Sequence, residues 1–67
     1  MYVEYNNLLK IMIDKGINKT QLKDLAKLST NVIAKIGKNE PISLESIQKI
    51  CIVLDCDIGD VVRLKKE

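Results

Sequence analysis

Histidine, phenylalanine and tryptophan are absent from this chain of 67 residues, which has only two tyrosines and one proline. The lack of histidine removes the commonest general base and a frequent metal ligand. Because the chain is also small and lacks a paired-carboxylate site, we predict that it is not an enzyme. We expect no metal, no cofactor and no small-molecule ligand. Without Phe or Trp, the core must be built mainly from aliphatic side chains.

Long apolar runs are missing as well. No stretch is long enough to span a bilayer and no signal-peptide pattern is present, so we expect a cytoplasmic protein with no membrane partner. The length suits one domain, residues 1–67, and leaves no room for a second. A core this small is near the lower limit of self-sufficiency, so dimerisation would add stability.

Cysteine is scarce, and Cys51 and Cys56 are the only two. A separation of five residues on a helix is unsuitable for a disulfide, and a reducing cytosol disfavours one too. We therefore expect free thiols, with Cys51 serving as a small buried hydrophobic residue. Two cysteines without histidine are too few to predict a metal site.

Two short helical patterns, Lys19–Ala26 and Thr30–Ile36, are separated only by the three residues 27–29. Helices joined by so short a turn cross steeply, as in a helix-turn-helix motif, which here spans about residues 18–39. The apolar residues that define the two patterns are Leu22, Leu25, Ala26, Val32, Ile33 and Ile36. Ser29 is a good N-cap for the second helix, and Asn18 or Thr20 can cap the first.

The second helix would turn Thr30 and Asn31 away from the core, with Lys35 on the same side. Asn can bond adenine bidentately and Lys can reach guanine in the DNA major groove, so these three are the predicted base-reading residues. The alternative is that they form only the solvated face of an amphipathic helix. Lys38 and Asn39 follow the helix and are predicted to contact phosphates, with a solvated loop as the alternative.

Charge is unevenly distributed along the chain. Residues 19–40 hold five lysines against Asp24 and Glu40, a balance of +3, whereas residues 41–60 have a balance of −3 and residues 61–67 of +2. Positive charge is therefore concentrated on the predicted motif, where phosphate contact would need it.

Three further helices are predicted around the motif. The first runs from Leu8 to Lys15, with Asn6 or Asn7 as its cap, Gly16 at its end, and an apolar stripe of Leu8, Leu9 and Met12 widened by Ile11 and Ile13. Another spans Leu44–Leu54 after Ser43, with Leu44, Ile47, Ile50, Cys51 and Leu54 in the core, and a short one spans Ile58–Val62 after Asp57. Residues 1–5 alternate as in a strand that could pair with the tail around residues 62–64; a frayed terminus is the alternative.

An ordered set of residues then shows a resemblance covering nearly the whole chain: Gly16-Ile17, Leu22 with Ala26, Leu28-Ser29, Ile33, Lys35-Ile36-Gly37-Lys38-Asn39-Glu40, Ser43-Leu44-Glu45, Ile50-Cys51 and Leu54-Asp55-Cys56-Asp57-Ile58-Gly59-Asp60. With these the chain resembles the Cro and lambda-repressor type of helix-turn-helix domain, most of all its small single-domain branch. The resemblance implies an all-α, five-helix lambda-repressor-like domain, here with short terminal strands as an option, that is usually dimeric and regulates transcription.

The resemblance also assigns positions. Thr30, Asn31 and Lys35 match the family's base-reading positions, Lys19 matches a position that braces against the DNA backbone, and Lys38 and Asn39 match the phosphate-contacting loop. With Thr20 and Ser29, these complete the predicted backbone contacts. Two residues depart from the family pattern: Lys23 stands where Ala is frequent, and Lys27 stands where Gly often permits a positive φ.

These observations predict a sequence-specific DNA-binding transcriptional regulator, a repressor, which binds double-stranded DNA as a homodimer on half-sites about one turn apart. The dimer interface is open between the terminal strands and the helical end near residues 54–62. The alternative is a protein-interaction module that modulates another regulator without binding DNA. A steep salt dependence of DNA affinity would separate the two.

Overall fold

Five helices and a two-stranded sheet make up residues 2–66, the part of the chain that the computed structural model describes. In chain order the elements are β1 (Tyr2–Glu4), α1 (Asn6–Lys15), α2 (Lys19–Ala26), α3 (Thr30–Gly37), α4 (Leu44–Leu54), α5 (Ile58–Val61) and β2 (Arg63–Lys65). The predicted five-helix fold is confirmed. The first residue of the predicted strand, Met1, lies outside the described residues. No helix within residues 2–66 is long and apolar enough to cross a membrane.

Side-chain caps start four of the helices where the sequence predicted them. Asn18 accepts from the Gln21 N–H at 2.8 Å, and the Gln21 side chain accepts from the Asn18 N–H at 2.9 Å, so α2 starts with a capping box. Ser29, Ser43 and Asp57 cap α3, α4 and α5. These bonds join residues within three positions of one another, which is why a local pattern reveals them.

The predicted cap of α1 is wrong. The helix begins at Asn6, its N-cap is Tyr5, and no side chain caps it. Because β1 ends only one residue before Tyr5, the chain enters the helix directly from the sheet. The Asn6 amide donates instead to the Glu4 carboxylate at 3.3 Å.

Four helices end in the same way, with a residue in the left-handed region followed by a backbone bond that reaches back five positions. The left-handed residues are Gly16 (φ 68°), Lys27 (φ 54°), Asn39 (φ 55°) and Asp55 (φ 53°). The bonds from the next residue are Ile17 N to Met12 O (2.8 Å), Leu28 N to Lys23 O (2.9 Å), Glu40 N to Lys35 O (2.9 Å) and Cys56 N to Cys51 O (3.1 Å). This is the Schellman motif, which satisfies carbonyls that the helix leaves free.

The core is a single aliphatic cluster with one aromatic member. Its buried residues are Tyr5, Leu8, Met12, Leu22, Ala26, Leu28, Ile36, Ile47, Ile50, Leu54 and Val61. Leu44, which was predicted to be in the core, is exposed (68%), and so are two residues of the predicted apolar stripes, Ile13 (77%) and Leu25 (58%). A domain this small cannot cover the full width of every apolar helix face, so the edges of the stripes remain at the surface. Cys51, predicted to be buried, is half-buried against the core.

The terminal segments pair as an antiparallel sheet. Of the two predicted alternatives, strand pairing is therefore confirmed and the frayed terminus is wrong. Tyr2 lies opposite Lys65, Val3 opposite Leu64 and Glu4 opposite Arg63. The Lys65 ammonium is 3.6 Å from the Glu4 carboxylate. Together these interactions join the two ends of the chain next to α1.

Candidate nucleic-acid interface

The turn between α2 and α3 is held by backbone and core contacts. Lys27 takes a left-handed conformation, with φ at 54°, although it is not glycine. Leu28, the next residue, is buried and donates its N–H to the Lys23 carbonyl at 2.9 Å. The buried Leu28 thus compensates the local cost of a positive φ at Lys27. The departure from glycine leaves the turn intact.

The orientation of α3 is set at its start and by its apolar side. The Ser29 hydroxyl accepts from the Val32 N–H at 3.3 Å. Ile36 is buried, and Val32 and Ile33 are half-buried against the core. The opposite side of the helix is therefore free to meet a partner.

All three predicted base-reading residues, Thr30, Asn31 and Lys35, are exposed. Asn31 and Lys35 are four positions apart, so they are neighbours on one face of the helix. Eight residues make a helix about 12 Å long, which is about the width of the major groove. The structure brings these side chains together on one exposed face; their contact with bases stays a prediction.

The end of α3 presents two more predicted contacts. The chain turns at Asn39, whose N–H donates to the Ile36 carbonyl at 3.3 Å, and Lys38 donates to the Lys35 carbonyl at 3.1 Å. Both Lys38 and Asn39 are exposed. The backbone bonds of this turn fix where the chain positions these two residues beside the helix.

Tyr5 anchors the loop that follows, and sequence reasoning did not identify it. Its hydroxyl donates to the Glu40 carbonyl at 2.6 Å, across 35 positions of sequence, and its side chain is buried. Burial raises the pKa of Tyr5, and a backbone hydrogen bond at Ile42 lowers it in part. The available signal was that Tyr5 is one of only two aromatic residues in the chain. Its bond to residue 40 could not be read from that signal.

Lys19 lies across the C-terminal end of α3. A Cβ added at Gly37 would lie 3.3 Å from the Lys19 ammonium nitrogen. Because Gly37 has no side chain, the Lys19 ammonium group can occupy this position. A positive charge is favoured there by the carbonyl end of the helix dipole. The fold thus brings a cation from the start of α2 next to the segment that contains Lys38.

Thr20 and Ser29, the remaining predicted backbone contacts, are also exposed. Thr20 is in the first turn of α2 and does not cap that helix, since Asn18 does. Ser29 uses its hydroxyl oxygen in the cap of α3, which leaves the hydroxyl hydrogen free to donate to a phosphate.

The lysines of the motif are not neutralised by ion pairs. Residues 2–66 contain two ion pairs, Lys49 with Glu45 at 3.5 Å and Lys65 with Glu4 at 3.6 Å, and neither involves a lysine between positions 19 and 40. Within the same residues, no three His, Cys, Asp or Glu side chains are grouped so that they could hold a metal ion. The charge available at this surface is therefore positive and suited to an anionic partner.

Comparisons with known proteins show what the chain as a whole is similar to. The family model for the Cro/C1-type HTH DNA-binding domain matches residues 7–67. The crystal structure of the transcriptional regulator VanUg, form II, superposes on this chain with a TM-score of 0.94 and 39% sequence identity. That alignment covers 98% of this chain and 88% of the other. No curated protein sequence matches the chain.

Proposed function

The chain belongs to the Cro/C1-type helix-turn-helix DNA-binding domain family, and on that premise we propose that it is a sequence-specific transcriptional repressor acting as a homodimer. One observation carries the proposal: the exposed polar face of α3 is flanked by lysines that take no part in the ion pairs of residues 2–66. The similar structure described above is that of a transcriptional regulator. We propose that it acts in the cytoplasm, in contact with the DNA that it regulates.

In the proposed complex α3 lies in the major groove. Thr30 and Asn31, in its first turn, contact base edges, with Asn31 suited to a bidentate bond to adenine. Lys35, one turn further on, reaches a guanine. Such a pair of hydrogen bonds discriminates against a wrong base by about 1–3 kcal/mol.

The DNA backbone is contacted on both sides of this helix. Lys38 and Asn39, in the turn after α3, contact one row of phosphates. Thr20 and Ser29 meet the other from the start of α2 and the cap of α3. Lys19, held over the end of α3, adds a cation between them. Contacts of this kind fix the register of the protein on DNA and do not read sequence.

A homodimer would place two copies of α3 in successive major grooves, on half-sites about 34 Å apart. Exposed apolar side chains remain at both surfaces considered for the interface, with Tyr2 and Leu64 on the sheet and Ile58 at the helical end. Occupying the operator would by itself block transcription, so the proposed repressor needs no further domain for that action.

The proposal is tested by fluorescence anisotropy of a labelled random-sequence duplex at about 50 and 200 mM salt. About six phosphate contacts in a dimer correspond to a loss of about 10³ in affinity over that range. We expect Lys35→Glu to abolish binding. Lys10→Glu is the matched control, because it makes the same charge change at an exposed site on α1. Equal loss of affinity in both variants would refute a specific role for α3.

Operator selection then separates base reading from backbone contact. We expect Asn31→Ala to reduce the preference for the selected operator over random DNA by about 10-fold or more, in line with 1–3 kcal/mol. Lys38→Ala should weaken both DNAs equally and lower the salt slope by about 1 per protomer. Equal losses on operator and random DNA for Asn31→Ala would contradict its assignment. Analytical ultracentrifugation of the operator complex tests the homodimer.

One observation favours the alternative, a module that binds another regulator. A groove of about 430 Å³ lies between α4 and α5, lined by Leu44, Ile47, Gln48, Cys51, Asp57 and Ile58. Leu44 and Ile58 are exposed there, and the surrounding segment is acidic. If the wild type binds no DNA even at low salt, the protein-interaction function replaces the proposed one.

A further inference from the structure

Cys51 and Cys56 are brought together by the end of α4. The helix stops at Leu54, and Asp55, with φ at 53°, reverses the chain. Cys56 then donates its backbone N–H to the carbonyl of Cys51 at 3.1 Å. The two cysteines thus occupy the two positions of a Schellman motif whose side chains face each other.

Both thiols are free, but the helical spacing from which no disulfide was expected does not describe this pair. On an uninterrupted helix, residues five apart have Cα atoms about 9 Å apart. Here the 3.1 Å hydrogen bond, with standard bond lengths on either side of it, holds the two Cα atoms within about 7 Å. Disulfides span Cα separations of about 4.4–6.8 Å. The distance on an uninterrupted helix does not apply because Cys56 lies beyond the end of α4.

The side chains are close as well as the backbones. Both cysteines are free, half-buried and packed against the core. Burial, followed by the Cys51 thiol and the charge of Asp60, raises the pKa of Cys56 from 9.0 to about 11, and Lys15 opposes this shift. The Cys51 thiol is thus among the groups near enough to shift the pKa of Cys56.

We propose that Cys51 and Cys56 form a dithiol that closes to an intrachain disulfide when a peroxide is supplied. In the first step one thiol loses its proton, the thiolate attacks a peroxide oxygen and the O–O bond breaks; a sulfenic acid forms, and the departing hydroxide takes up that proton to give water. In the second step the other thiol attacks the sulfenic sulfur, the S–S bond forms, and the hydroxyl leaves as water with the thiol proton. Two thiols and one hydrogen peroxide give one disulfide and two waters.

Closure needs little movement of α4, since the backbone hydrogen bond already holds the two residues near the distance that a disulfide spans. The disulfide would close a six-residue loop and tie the end of α4 to the turn that leads into α5. Restricting the unfolded chain in this way should raise the Tm by on the order of 10 °C. The pair is therefore a site where oxidation strengthens the fold.

The test uses the full chain, treated with hydrogen peroxide at about pH 8.5 and then with iodoacetamide. We expect the intact mass of a monomer to fall by two hydrogen atoms without alkylation, and non-reducing peptide mapping to link Cys51 with Cys56. Dithiothreitol should restore two alkylatable thiols and return the Tm to its reduced value. These measurements need only the wild type, so they do not depend on whether a variant folds.

Two variants serve as controls for disulfide closure. Cys56→Ala should lose closure and gain oxygen at Cys51 or form linked dimers, whereas Asp55→Gly keeps the left-handed turn and should still close. The proposal is overturned if the wild type adds oxygen to both cysteines independently, or if it forms only interchain disulfides. It is equally overturned if the closed monomer melts below the reduced protein.

Discussion

Replacing Tyr5 with phenylalanine should destabilise the fold through a single lost hydrogen bond. The hydroxyl donates to the Glu40 carbonyl at 2.6 Å from a side chain that is 1% exposed. A neutral hydrogen bond contributes about 0.5–1.5 kcal/mol net. Because residue 40 is at the surface, its carbonyl can bond water after the substitution, which avoids the larger cost of an unsatisfied buried group. We therefore expect Tyr5→Phe to lower the free energy of unfolding by about 1 kcal/mol.

The assay is thermal and urea unfolding followed by circular dichroism. For a domain of this size a loss of about 1 kcal/mol lowers the Tm by about 4–8 °C. Tyr2→Phe is the matched control, because Tyr2 is 40% exposed and we expect its loss to change stability by less than about 0.5 kcal/mol. If Tyr5→Phe melts with the wild type, or if both variants lose the same stability, the bond to residue 40 does not anchor the loop.

The same residue has a signature in alkaline solution. The folded protein holds the pKa of Tyr5 above its ordinary 10.0, chiefly through burial. The folded state then keeps a proton that the unfolded state loses, so stability falls as the pH rises above 10.0 toward the folded pKa. The advantage of wild type over Tyr5→Phe should shrink over that range. An advantage that stays constant or grows would contradict the assigned cause.

Three further predictions concern the turn, the cap and the thiol. Lys27→Gly should exceed Lys27→Ala in stability by about 1 kcal/mol in urea unfolding, since only the glycine is relaxed at φ 54°; equal stability would argue against strain there. Ser29→Ala should cost about 1 kcal/mol by the same assay through loss of the cap of α3, and no loss would show that the cap does not stabilise it. Wild type should lose stability between pH 9.0 and about 11, where Cys56 is held protonated only when folded; an identical pH profile for Cys56→Ala would contradict this.

Features that depend on near neighbours in the chain could be predicted from the sequence. The caps at Asn18, Ser29, Ser43 and Asp57 are each satisfied within three residues. The left-handed end at Gly16 follows from the residue itself. The helix-turn-helix was predictable because a turn of three residues permits few arrangements of the flanking helices.

The predicted interface needed both kinds of information. The exposure of Thr30, Asn31 and Lys35 follows from the periodicity of α3, since the apolar residues of that helix lie on its opposite face. The position of Lys19 over Gly37 depends on how α2 crosses α3. Local pattern does not specify that contact, and the family resemblance assigned Lys19 to the DNA backbone without placing it beside Gly37.

Contacts between residues far apart in the chain were decided by the tertiary structure alone. Pairing of the two ends, and the bond from Tyr5 to residue 40, join segments more than 30 positions apart. Packing also decided which apolar residues stay outside, so Leu25 and Leu44 match the helical pattern but remain exposed. The sequence by itself determined where four of the five helices start and which faces are apolar, because those depend on residues one turn apart. Which faces are covered, and which side chains meet, is decided by a core too small to bury them all.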